Sequence, residues 1–131
     1  MKTTAGIALL ILCAACAGSA RRAQPPTDRN TITREQLAEH RFSSAYDAVA
    51  ALRSNWLGTR GPDSFNTPSE VLVYIDNVRV GGVETLRSVV VSSISYIQHF
   101  DGLAATARWG LDHGAGVIFV STQTGPVRRP N

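Results

Sequence analysis

The side chains of this chain that could do chemistry are few and widely spaced. Three histidines stand at 40, 99 and 113, with Asp101 near His99 and Asp112 beside His113. If the segment around residues 110–114 folds back, His99, Asp101, Asp112 and His113 could form an acid–base or metal cluster, the one route to a small hydrolase. No two of them have the helical spacing of a zinc site, and isolated imidazoles at strand ends are commonly just solvated. No serine lies in a G-x-S-x-G turn. Gly81-Gly82 and Gly114-Ala115-Gly116 lack the G-x-G-x-x-G spacing of a phosphate cradle. Arg60, within Gly58-Thr59-Arg60-Gly61-Pro62, is placed to clasp a carboxylate or a partner's backbone, or to cap the helix that ends near Leu57. The sequence therefore predicts no catalytic residue, no bound cofactor and no metal site. Arg60, Asp76, Asp112 and His113 are its candidate binding surface.

The cysteines carry a different chemistry. Both lie near the start, at 13 and 16, at the end of an apolar run that begins at Gly6 after the positively charged Met1-Lys2. About ten apolar residues are too few for a permanent span and suit a signal-peptide core. Small residues in Leu12-Cys13-Ala14-Ala15-Cys16 would admit a peptidase, leaving Cys16 to carry a diacylglycerol anchor. The stretch resembles a bacterial lipobox, with Cys13 where leucine is usual. The other route cuts after Gly18-Ser19-Ala20 and discards both cysteines. The apolar run ends at Cys16, which favours lipidation. Either way the mature chain has no disulfide, and its fold must stand on a packed core. The residue after Cys16 is Ala17 and not the aspartate of inner-membrane retention, so the resemblance implies an outer-membrane location.

Charge excludes one class of partner. The 131 residues carry a net charge of +3, yet residues 32–124 hold seven arginines against nine carboxylates, a balance of −2. A nucleic-acid binder needs its positive charge on the folded surface.

The elements that must position these residues begin near Ile32. Residues 1–15 read as signal, 16–31 as a tether without a large apolar residue, 32–124 as one domain, and 125–131 as a loose end. Thr33 and Gln36 form a capping box opening a short helix to about His40. A second helix starts near Ser43 or Ser44, with Asp47 in its first turn and Ala45, Val49, Leu52 and Trp56 on one face. Val71-Leu72-Val73-Tyr74-Ile75 reads as a strand covered on both sides, Asp76-Asn77 as a turn, and Val78-Arg79-Val80 as a short return strand. One or two helical turns follow at residues 83–87. A strand at 94–100, an Asp101-capped helix closed by Gly110, and a final strand at 117–122 complete the order. The strand–helix–strand pass at the end predicts a parallel pair. The expected fold is α+β, a small mixed sheet with helices packed against it.

Val73-Tyr74-Ile75-Asp76-Asn77-Val78-Arg79-Val80-Gly81-Gly82 resembles the V-x-x-D-G-x-x-x-G hairpin of the plug domain of TonB-dependent outer-membrane receptors. Ile94-Ser95-Tyr96-Ile97-Gln98 is similar to that family's I-E-x-I-E-V strand. Asp101-Gly102-Leu103 through Arg108-Trp109-Gly110 looks like its G-P-x-x-x-x-Y-G helix, and Gly114-Ala115-Gly116-Val117-Ile118-Phe119-Val120 like its closing strand. The resemblance covers residues 71–122, in the family's order and spacing. It departs at Asn77, where the family has a turn glycine, and at Asp101, where it has glycine. The surrounding barrel and the coupling segment for the energy-transducing partner have no counterpart here, so pore function is not implied. What the resemblance implies is a plug-like fold, an envelope location and a binding role. The expectation is a non-enzymatic lipoprotein, held on the periplasmic face of the outer membrane by acylated Cys16, that binds a protein or envelope partner. The alternative is an accessory of a TonB-dependent uptake system that takes a small ligand between Arg60, Asp76 and the 110–114 loop.

Overall fold

The computed structural model describes residues 28–59 and 70–123. They form a five-stranded mixed sheet in the order β1-β4-β5-β2-β3, with helices on both faces, the α+β architecture expected from the sequence. The strands are β1 (Thr31–Thr33), β2 (Leu72–Ile75), β3 (Val78–Gly82), β4 (Tyr96–Phe100) and β5 (Val117–Ser121). The α-helices are α1 (Arg34–Glu39), α2 (Ala45–Arg53) and α3 (Gly102–Trp109).

Local chemistry opens each helix where the sequence places it. The Thr33 hydroxyl accepts from the Gln36 amide while the Gln36 side chain accepts from the Thr33 amide at 3.1 Å, so two otherwise orphaned donors are satisfied reciprocally. Ser44 and Asp47 repeat the arrangement at α2, with bonds of 3.1 and 3.2 Å. Asp101 caps α3 by accepting from the Ala104 amide at 2.8 Å. Asp76 and Asn77 both have positive φ, 47° and 73°, the pairing that a two-residue hairpin turn requires.

Alternation along the strands sorts the core into two layers. On one face Val73, Ile97, Ile118 and Val120 meet Leu37, Ala45, Ala48, Val49, Trp56 and Leu86, an aliphatic layer built under α1, α2 and the 3-10 segment Val83–Ser88. On the other face Leu72, Tyr74, Phe100, Val117 and Phe119 meet Ala105 and Trp109 of α3. That layer is mostly aromatic and covered by α3 and the 3-10 turn Leu111–His113.

Two expectations are corrected. The tether was expected to run through Thr31, but Thr31 pairs with Gln98 and is buried, so the sheet already includes it. A turn prepares it, in which the Asp28 carboxylate accepts from the Asn30 amide at 3.0 Å and from the Thr31 hydroxyl at 3.3 Å. A β-branched threonine needs only a partner strand to be ordered, which a search for large apolar residues overlooks.

The second correction concerns the last two strands. β4 and β5 are antiparallel, and the parallel pair is β2 with β5. The excursion between β4 and β5 closes on itself instead of carrying the chain back along the sheet. A Cβ on Gly102, where α3 starts, would lie 1.9 Å from the Gly114 carbonyl oxygen, and one on Gly116 would lie 2.8 Å from that of Phe100. The chain therefore re-enters the sheet beside the point where it left, and β5 must run opposite to β4. Gly116 also sits at φ 98°, where other residues are strained.

Candidate functional site

The best-organised polar feature lies within the aromatic layer. Tyr74 projects from β2 toward the turn after α3, and its hydroxyl lies 2.8 Å from Nε2 of His113. The other ring nitrogen, Nδ1, lies 3.1 Å from the Gly110 carbonyl oxygen, which can only accept. Nδ1 is therefore the donor, and in the neutral ring Nε2 accepts from the phenol. His113 is 5% exposed. The Trp109 ring stacks on Tyr74 at 5.0 Å and packs edge-on against Phe100 at 5.1 Å. Above them the exposed Arg108 guanidinium lies 4.6 Å from the centre of the Trp109 ring and 5.1 Å from that of Phe100. That distance is within range of a cation–π attraction. The ensemble clamps the α3 excursion onto β2: both imidazole nitrogens are used, and the phenol is spent on one of them.

The other candidates are scattered. Asp76 sits at the β2–β3 turn, where its carboxylate accepts from the Thr122 amide at 2.9 Å and from the Thr122 hydroxyl. Its own amide donates to the Val120 carbonyl at 3.0 Å. It pins the hairpin to the end of β5, 46 residues away. Asp112 is exposed on the turn Leu111–His113. That turn precedes β5 whereas Thr122 follows it, so Asp76 and Asp112 stand at opposite ends of the strand, roughly 20 Å apart along it. Arg60 and Cys16 lie outside the described residues.

The histidine cluster does not form. His99 alternates with Phe100 on β4 and faces the aliphatic layer, stacked on Trp56 at 5.3 Å with the rings 14° apart. His113 is in the aromatic layer, on the far side of the sheet. Asp101, the expected third member, uses its carboxylate to cap α3. Among the described residues no three His, Cys, Asp or Glu side chains come together as a metal ion would need. Burial of His113 also overturns the expectation of a solvated imidazole.

Two titration shifts lie at the surface. The hydrogen bond from Thr33 holds the Glu35 carboxyl below its ordinary value of 4.5. The bond to Glu84 raises Arg87, whose guanidinium also lies 3.7 Å from the centre of the Tyr46 ring. Neither belongs to the aromatic layer.

Sequence reasoning missed the Tyr74–His113 bond because its partners are 39 residues apart. A signal was nonetheless present: Leu72 and Tyr74, Val117 and Phe119, and Tyr96 and Phe100 stand at even spacing in their strands, placing the aromatic rings on one face. No protein-family model matches the chain, and no curated protein matches it.

Proposed function

We propose that this chain is a non-enzymatic lipoprotein, anchored by acylated Cys16 to the outer membrane, whose plug-like domain faces the periplasm and binds a protein or envelope component. The observation that carries the non-catalytic reading is the division of the polar groups. His99 and His113 lie on opposite faces of the sheet, and Asp76, Asp101 and His113 each make hydrogen bonds that hold the fold. Location rests on the sequence, on the apolar run that ends at Cys16. The plug-like reading rests on the resemblance over residues 71–122 and on the mixed sheet in which those residues lie.

The test is fractionation of cells expressing the chain and its Cys16→Ala variant, followed by crosslinking in intact envelopes. The native chain is expected in the membrane fraction, crosslinked to a discrete partner, while the variant loses the membrane association. Equal partition of the two chains would contradict the reading.

A further inference from the structure

We propose that the outer face of α3 rests on the lipid surface to which the chain is tethered, so that the aromatic layer is the membrane-proximal side of the domain. The proposal rests on the anchoring reading above. On α3 the residues turned to the sheet are Ala105 and Trp109, whereas Leu103, Ala104, Ala107 and Arg108 face outward. Leu103 is 84% exposed and Leu111, just past the helix end, is 89% exposed. These are the two most exposed large apolar side chains among the described residues. They bracket an arginine stacked on a half-buried tryptophan. Aliphatic side chains flanking a tryptophan and an arginine fit the headgroup boundary, where ring and guanidinium each have an apolar and a polar side to satisfy.

The occupant is argued from where the tether enters. The His99 amide donates to the Asn30 carbonyl at 2.8 Å, and Thr31 pairs with Gln98. The chain arriving from Cys16 thus joins the sheet beside the end of β4, from which Asp101 leads directly into α3 and Leu103. Fourteen residue steps from Cys16 to Asn30 span at most about 50 Å, and the α3 end of the sheet is the part that needs least of that reach. Electrostatics adds little, because Asp101 and Asp112 flank Arg108. The contact is accordingly apolar and only weakly dependent on anionic lipid.

The test uses the acylated full chain in vesicles of phosphatidylethanolamine and phosphatidylglycerol. A single cysteine at Leu103→Cys or Leu111→Cys carries an environment-sensitive nitrobenzoxadiazole dye, with Glu84→Cys on the opposite layer as control. All three sites are exposed, so the substitutions leave the core intact; circular dichroism checks this. The expected result is a blue shift and a rise in emission at 103 and 111, absent at 84, unchanged as protein is diluted into more lipid and little altered in vesicles of phosphatidylcholine alone. Emission at 103 and 111 equal to that at 84 overturns the proposal while leaving the anchor intact. A shift that fades on dilution assigns the face to a second copy and also overturns it. Intact mass on the same sample separates the two claims: a chain without acyl groups removes the anchor, and the proposal with it.

Discussion

The two faces of the sheet are built from the same strands and made of different material. The aliphatic face is sealed: Ile97, Ile118, Val120, Val73 and Leu86 are all at 0% exposure. The aromatic face is thinner, with Leu72, Tyr74, Phe100 and Phe119 at 6–8% beneath one eight-residue helix and one 3-10 turn. Burial of branched aliphatics against two helices gives the first face its stability, through contacts that have little directionality. The second face relies on ring stacking and two imidazole hydrogen bonds, which set direction more than they add energy. The difference indicates a division of labour, in which one face holds the fold and the other holds a short excursion of chain in a fixed pose.

The chain has two tryptophans, one per face, Trp56 and Trp109, so single-tryptophan variants (Trp56→Phe or Trp109→Phe) let fluorescence address each face separately. The largest effect is expected on the aliphatic side. Leu86→Ala leaves a cavity at a fully buried position and should cost about 3 kcal/mol in denaturant unfolding, with both tryptophans reporting the same lowered midpoint. Tyr74→Phe should cost about 1–3 kcal/mol, because His113 Nε2 stays buried without its donor. Here the native emission of Trp109 should change and that of Trp56 should not. If both change, the faces are not independent.

Much of this architecture is legible in the sequence, and the misses share a cause. The caps at Thr33, Ser44 and Asp101, the Asp76-Asn77 turn and the buried runs of β2 and β5 are dictated by residues within a few positions of each other. The antiparallel β4–β5 pairing depends on Gly102 meeting Gly114, an approach that no periodicity records. The contacts made by the candidate site residues escape the sequence for the same reason. Asp76 meets Thr122 and Tyr74 meets His113 across 46 and 39 residues, contacts that only the folded sheet brings together. Composition identified the polar residues, and topology decided which of them the fold itself uses.

Smaller perturbations sharpen the contrast. Thr33→Ala should cost about 1 kcal/mol through loss of the α1 cap. It should also remove a pH dependence. Because the folded-state pKa of Glu35 is depressed, its contribution is fully present above the ordinary value of 4.5 and is lost as pH falls below it through the folded value. The variant's stability, measured by denaturant titration at several pH values, should fall less steeply in that window than the native chain's. Ser95→Ala should be the smallest change, neutral or stabilising by up to about 1 kcal/mol, since the buried Ser95 hydroxyl has no hydrogen-bond partner among the described residues. A clear loss of stability there would mean that the hydroxyl is satisfied in solution.

The anchor proposed at Cys16 is tested most directly by the intact mass of the protein extracted from membranes. The account predicts a chain beginning at Cys16 with glycerol-linked fatty acids attached. A mass matching an unmodified chain that begins at Arg21 would contradict it.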